Sequence, residues 1–564
     1  MAFQLSPGVN VSEVDLTTAI PSVSTTIGAF AGDFQWGPVG EIISISNEVQ
    51  LVDRFGKPDS NTFTSFFTAA NFLQYSNDLR VVRSVGNSAN NATTSGTPVR
   101  IENRNDYEQN HSSGQTVLGQ FAAKYPGDLG NSLKVSMCDA NTTLLTTWAY
   151  TNSFDSFPKT SDYTQRNNSN ADNANDEIHI VVIDTTGKIS GTANTVLEKF
   201  AFVSKASDAK TSDGSTNYYK DVINNRSKYI WWLSHPNSGT NWGTPATSNN
   251  VYTQLTSTEF ALSGGITSTP TAANRNVSYS LFNNPDSVDV SLIMAGETSG
   301  STIPTHLLAL AQSRKDCLVF LSPNRSDVVE NIGNETSAIT TLVTSTIADT
   351  STYTVMDSGW KYQFDKYNDT YRWIPLNGDT AGLCARTDLQ RDPWFSPAGL
   401  NRGQIKNVIK LAWNPTQSER DSIYKIGVNP VVTFPGEGTI LYGDKTFTNR
   451  PSAFDRINVR RLFIVLEKAI AKAARSTLFE FNDDFTRAQF INLVEPFLRD
   501  VQGRRGIYDF RVVCDTTNNT PEVIDRNEFV GDIYIKPSRS INFIQLNFVA
   551  TRTGVAFDEI VGRF

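Results

Sequence analysis

Apolar residues recur at steps of three and four through Val459, Leu462, Phe463, Leu466, Ile470, Ala473 and Ala474, and charged residues fall mostly between them. That spacing gathers apolar side chains on one helical face and predicts an amphipathic helix from Asn458, a natural N-cap, to about Phe479. A second helix follows. It opens at Asp483 or Asp484, is carried by Phe490, Leu493, Val494, Phe497, Leu498 and Val501, and stops at Gly503. Pro496 lacks a backbone donor and crowds the carbonyl of Asn492, which predicts a kink or two shorter helices.

Elsewhere the pattern is shorter-ranged. Around Pro7 and Gly8, Val9, Val11 and Val14 read as a short strand with too little apolar mass to fold alone. Residues 21–85 give two strands about Gly37 and Pro38, a helix from Phe63 to Tyr75 and a strand LRVVRSV. Residues 86–115 are rich in Asn, Ser, Thr and Gly, the composition of a linker. Alternating runs SLKVSM and IHIVVID then predict a β-rich insertion. From Val196 the texture becomes helix NYYKDVINNRS, strand KYIWWL, strand VDVSLIMAG, helix THLLALAQSR and strand CLVFLS, a covered and partly parallel sheet. A short helix at 336–352 precedes a return to aromatic strands at 356–382. The chain closes with YDFRVVC, FVGDIYIK and INFIQLNFVATRT, so it carries a strand without a home at each end.

The 564 residues allow about three or four domains. With 39% hydrophobic and 19% charged residues and a mean hydropathy of −0.31, the chain reads as an ordinary water-soluble protein. No run approaches the ~20 apolar residues that span a bilayer. The N-terminus lacks a basic region and an apolar core segment, so cytoplasmic synthesis without secretion is the expectation. A net charge of −8 argues against general nucleic-acid binding. Residues 456–505 depart from that balance, with ten Lys and Arg against six Asp and Glu, a local excess of four positive charges.

Candidate chemistry is thin. Cys138, Cys317, Cys384 and Cys514 lie far apart, and His111, His179, His235 and His306 have neither a partner at i+4 nor a nearby Cys, so neither disulfides nor zinc are expected. GTILYGDKT resembles a phosphate loop only loosely, because Asp444 breaks the required Gly-Lys adjacency. Trp231, Trp232 and the DPWFSP stretch at 392–397 are candidates for sugar stacking or for core filling.

Several stretches carry a resemblance. INVRRLFIVLEKAIAKAARSTLFEFND, FLRDVQGRRGIYDF and VVCDTTNN resemble the C-terminal core of contractile phage tail sheath proteins, of the T-even type. SPGVNVSEVD, AKYPGDLGN, AGLCARTD and NRGQI are similar to the same family. The resemblance implies a multidomain α+β protein: an α/β C-terminal core with two long helices, inserted β-rich and α/β domains, and extended terminal strands. Joined to the pattern, it divides the chain into a linking arm at 1–20, a first core segment at 21–85, a β-rich outer domain at 86–185 and an inserted α/β domain at 186–345. The C-terminal core then occupies 346–540 and a last strand 541–564.

The function implied is structural, with no cofactor and no catalytic or metal-binding residue. Subunits would form a homo-oligomeric helical stack of rings around a tail tube protein, meeting baseplate and tail terminator proteins, assembled in the host cytoplasm and carried in the virion, without nucleic-acid contact or membrane insertion. Inter-subunit strand exchange would rest on Val9, Val11, Val14, Phe543, Leu546 and Phe548. Contact with the tube would rest on Arg460, Arg461, Lys468, Lys472 and Arg475. The alternative is a tail-associated glycan hydrolase, which needs two carboxylates roughly 5–10 Å apart beside aromatic loops.

Overall fold

The computed structural model describes residues 23–141, 147–236, 241–542 and 545. The chain divides into two compact units, Pro21–Lys472 and a smaller one that takes in the chain from Ala473 onward.

The larger unit is built on a seven-stranded sheet. From edge to edge its strands are Val428–Asn429, Thr354–Asp357, Leu318–Leu321, Leu292–Met294, Gly28–Gly32, Leu79–Arg83 and Ile42–Ile45. All neighbours are parallel except Ile42–Ile45, which runs antiparallel along Leu79–Arg83. The central strands are buried on both faces, as their near-continuous apolar runs require. One face packs with the helices Ala272–Ser280 and Thr302–Arg314, through Tyr279, Leu307, Leu308 and Ala311. The other packs with Phe63–Leu73 and Asn377–Gln390, and with the start of Ile457–Ala474 through Ile457 and Ile464. A Cβ on Gly28 would sit 2.5 Å from the Phe72 ring, so the helix Phe63–Leu73 approaches the sheet only because glycine stands there.

A long excursion leaves this sheet after Leu79–Arg83. It holds a four-stranded antiparallel sheet ordered Thr195–Ser204, Glu177–Asp184, Leu133–Asp139 and Glu259–Ala261, and a separate pair, Phe121–Ala123 with Ile230–Trp232. Its core gathers Val135, Met137, Ile180, Val182, Tyr219, Trp232 and Trp242. The boundary expected at residue 185 is not observed, because Glu177–Asp184 pairs with Thr195–Ser204 across it. The boundary expected at 345 also moves. Leu292–Met294 and Leu318–Leu321 belong to the main sheet, and the excursion closes where the Gly86 N–H donates to the Ser268 carbonyl at 2.8 Å.

Residues 86–115 are not a loose linker. Asn91 is buried, its side chain donating to the carbonyls of Ile101 and Ala123 and accepting from the Ile101 N–H, and the helix Arg104–Asn110 buries Tyr107. The polar residues that suggested a solvated stretch serve instead as internal partners for irregular backbone.

A three-stranded antiparallel sheet, Thr370–Pro375, Trp360–Asp365 and Lys410–Leu411, and a hairpin of Val431–Phe434 with Gly438–Leu441 complete the larger unit. The smaller unit has one long helix, Asp484–Gly503, against one antiparallel pair, Ile507–Val513 with Asp532–Pro537. The expected C-terminal core at 346–540 is therefore shared between the two units.

Candidate assembly surfaces

In an open parallel sheet, ligands enter beyond the strand C-termini where the strand order reverses. Here that point lies between Gly28–Gly32 and Leu292–Met294, and a side chain fills it. Arg275, on the helix Ala272–Ser280, donates to the carbonyls of Ala31 at 3.3 Å, Ala295 at 2.5 Å and Glu297 at 2.5 Å. A capping box between Thr271 and Asn274 fixes where that helix starts and so where Arg275 points. Next to it, Asn377 accepts from the Gly296 N–H at 3.1 Å and donates to its carbonyl at 2.9 Å. Ser322 donates to Asp357 at 2.8 Å and accepts from Asn377, and burial pushes the Asp357 carboxyl up to about 8. A catalytic crevice would present polar atoms to a substrate. These are turned on the strand ends and tie the neighbouring strands of the slab together. Arg275 and Asn377 were missed from the sequence because nothing local marks a residue that bonds backbone elements far away in the chain.

The helix Ile457–Ala474 shows the predicted periodicity, with Val459, Leu462, Leu466 and Ile470 buried. Asn458 lies inside it rather than capping it, and donates to the Trp394 carbonyl at 3.4 Å. Its five expected tube-contact cations occupy three settings. Arg460 and Arg461 are both 3% exposed. Arg461 pairs with Asp388, which also accepts from Thr25, and donates to the Cys384 carbonyl at 3.2 Å. Arg460 lies 3.9 Å over the Phe454 ring and 4.3 Å over Tyr353, and burial lowers its pKa. These two guanidiniums therefore face the interior of their own unit. Lys468 is paired with Asp289, and Lys472 and Arg475 are exposed, the last opening the 3₁₀ turn Arg475–Thr477.

The smaller unit is short of core. Phe490, Val494, Leu498, Val501 and Ile507 are buried, but Leu493, Phe497, Phe510, Val512, Ile533 and Ile535 are only half-buried. Asp483 caps the helix by accepting from the Thr486 N–H at 2.8 Å. Pro496 sits inside one continuous helix, not at a break, on an exposed stretch where the Asn492 carbonyl can turn to water. Each strand of the pair Ile507–Val513 and Asp532–Pro537 has the other as its sole partner among the described residues. Val9, Val11, Val14, Phe543, Leu546 and Phe548 lie outside the described residues.

The remaining candidates are internal. Trp231 stacks on Tyr107 at 4.3 Å, Trp232 donates to the Tyr219 hydroxyl at 2.9 Å, and Trp394 is buried, so the stretches read as sugar-stacking sites fill cores. Asp444 pairs with Arg456 at 2.9 Å, and Gly438–Leu441 is one strand of a hairpin. His179 and His235 are enclosed among aromatic rings, the latter with its pKa lowered to about 4 by burial and then by Lys220. The four cysteines are buried thiols. No described helix is long and apolar enough to cross a membrane.

Comparison with known proteins places this geometry. Residues 449–551 match a family model of the phage tail sheath C-terminal domain, and residues 286–447 match the phage tail sheath protein central domain. Residues 25–83 match the N-terminal region of domain III of the tail sheath protein Gp18. The matched segments leave out the excursion and rejoin the strands of the seven-stranded sheet. The chain is 35% identical to the tail sheath protein of Enterobacteria phage T4, over 99% of each chain. It is 34% identical to that of Vibrio phage KVP40, over 99% of this chain and 100% of the relative. The crystal structure of a sheath tail protein from Listeria innocua shares the fold at a TM-score of 0.52 and 10% identity, covering 92% of this chain and 97% of that one.

Proposed function

The chain belongs to the contractile phage tail sheath family, and on that premise we propose how its parts divide the work. It is a structural subunit of the virion tail, whose copies polymerise as a helical sheath and contract during genome delivery. The observation that carries the division is the two-stranded sheet of the smaller unit. A two-stranded ribbon is marginal alone, and its outer edges offer unpaired N–H and C=O groups to an incoming strand. The terminal segments 1–20 and 541–564 supply alternating apolar residues, Val9, Val11 and Val14 in one and Phe543, Leu546 and Phe548 in the other. Added to a neighbour's ribbon, each arm gains several hydrogen bonds of ~0.5–1.5 kcal/mol net apiece and covers the half-buried apolar face. Contacts of this head-to-tail kind do not close on themselves and so build a helical lattice.

The slab of the larger unit then moves as a rigid body, and the arms keep neighbours tethered through the rotation that shortens the sheath. Energy stored in the extended lattice at assembly drives the tube through the host envelope. Lys468, Lys472 and Arg475 face the tail tube, and Arg460 and Arg461 hold their helix to its own unit. The baseplate and tail terminator cap the two ends, and assembly takes place in the host cytoplasm. Deleting residues 1–20 should leave a soluble chain with a single cooperative unfolding transition that forms no tubes in the electron microscope. Normal, contractile sheaths from the truncated protein would rule out arm exchange.

A further inference from the structure

A second surface has the chemistry of a subunit contact. In the three-stranded sheet, Tyr362 lies opposite Trp373 and Lys410, and Phe364 lies opposite Tyr371, so all five side chains share one face. The rings form a continuous platform: Tyr362 is 4.6 Å from Trp373 and 5.6 Å from Tyr371, and Phe364 is 5.2 Å from Tyr371. Lys410 holds its ammonium 5.2 Å from the Tyr362 ring and 5.5 Å from Trp373, and has no carboxylate partner among the described residues. The opposite face of the same sheet is occupied, with Gln363 accepting from Asn71 of the helix Phe63–Leu73 and Arg372 over Phe63. The platform faces away from that packing. Phe364 is 45% and Tyr371 51% exposed, on a sheet of which Thr370–Pro375 is an outer strand.

The complement stands in the smaller unit. Between its 3₁₀ turn and its long helix, Phe479 and Phe481 project on either side of Glu480, with the two rings 104% and 83% exposed. The turn is held by backbone bonds from the Leu478 N–H to Arg475, Glu480 to Thr477 and Asp483 to Phe481. Phe479 keeps φ at +71°, a conformation costly for a bulky side chain and here unsupported by packing of that ring. Glu480 has no cation partner among the described residues, and Asp483 and Asp484 beside it are also exposed. An acidic prong flanked by two rings matches an aromatic platform topped by a lysine, in charge and in chemistry.

We propose that the Phe479-Glu480-Phe481 prong of one copy docks on the Tyr362–Lys410 platform of a second copy, a head-to-tail contact independent of the strand arms. It rests on the sheath reading only in requiring that copies meet.

The test uses full-length chains. Lys410→Glu and Glu480→Lys should each raise the concentration needed for tube formation at least tenfold, and the double variant should return to within threefold of wild type. Unchanged unfolding midpoints would show that the surface substitutions leave the fold intact. In parallel, Lys410→Cys and Glu480→Cys chains, whose native thiols are all buried, should form a disulfide-linked dimer on oxidation when mixed, and far less of it alone. Single charge variants that polymerise like wild type, or a mixture that cross-links no better than its components, would overturn the contact. A wild-type chain that forms no tubes contradicts the sheath reading, while the cross-link still decides this contact. Retention on a cell-wall polysaccharide gel that Trp373→Ala abolishes, with the charge variants assembling normally, would make the platform a glycan site and remove the proposal.

Discussion

Asp357 illustrates what a single residue contributes when its polar atoms are spent inside the fold. It sits fully buried at the end of Thr354–Asp357, accepting from Ser322 and from the Gly359 N–H at 3.0 Å, and burial holds its pKa near 8 against an ordinary value of 3.8. Between those values the folded chain binds a proton that the unfolded chain has released, so stability falls as pH rises through that window. Asp357→Asn keeps the acceptor for the Gly359 N–H, loses the acceptor for the Ser322 hydroxyl, which already accepts twice from Asn377, and has nothing to titrate, so its own cost does not vary with pH. The variant should therefore gain on wild type from pH 4 to pH 8, by at most about 1.4 kcal/mol per pH unit. Urea unfolding of both chains at several pH values measures this, and a constant difference would mean that Asp357 is charged in the folded state. Arg461 shows the same inward turn. From the sequence it reads as one more cation on a basic helix, and its partner Asp388 lies 73 residues away, where no helical spacing could reveal it.

At the scale of elements, periodicity is what made the fold legible. The helices Ile457–Ala474 and Asp484–Gly503, the strands Leu79–Arg83, Leu133–Asp139 and Glu177–Asp184, and the parallel run around Leu318–Leu321 all carry a period or an unbroken apolar run, and all were expected. Short or half-exposed elements escaped notice. The helix Glu48–Phe55 buries only Leu51 and Phe55, and the strand Thr195–Ser204 is half-exposed and bulged. The candidate tube-contact residues were legible only as charge. The five cations could be counted, but which of them face outward depends on how the helix is seated. Reversing Lys472 and Arg475 together should weaken sheath assembly on the tube and reduce its salt sensitivity while leaving unfolding nearly unchanged, because exposed charges contribute ~0–1 kcal/mol each, whereas Lys468, 18% exposed and paired with Asp289, is left in place. Arg461→Ala should instead cost roughly 3–5 kcal/mol by stranding Asp388 in the interior. Comparing unfolding midpoints with cosedimentation on tubes separates the two classes. Equal effects of both variants on stability would refute the assignment.

On the scale of the whole molecule, the excursion should be removable from the larger unit, and its geometry says how to remove it. Its two ends meet: Gly86 bonds to Ser268, and Asn90 and Ile266 exchange backbone bonds at 3.1 and 3.0 Å. The family models match the chain on both sides of it and not across it. Replacing residues 87–267 by a short Gly/Ser linker therefore need not disturb any strand of the seven-stranded sheet. What is lost lies at the base of the excursion. Arg83 donates to the carbonyls of Phe34, Gln35 and Gly37 as well as to Pro126, and only the last bond, at 2.7 Å, disappears. Trp36 loses its neighbours Tyr125, at 5.3 Å, and Tyr229, at 6.3 Å, and Asp53 loses its exposed pairing with Lys228. An uncovered Trp36 is the largest of these, so Trp36→Ser belongs in the same variant to prevent aggregation. The shortened chain should unfold cooperatively with a stability lowered by about 2–4 kcal/mol, and should still polymerise, because the ribbon, the terminal arms and the helix Ile457–Ala474 all lie outside the deletion. Circular dichroism and electron microscopy of one preparation decide the matter. A chain that keeps its folded spectrum and its cooperative transition but makes no tubes would show that the excursion takes part in the lattice itself, and the division between a polymerising core and an appended outer domain would have to be abandoned.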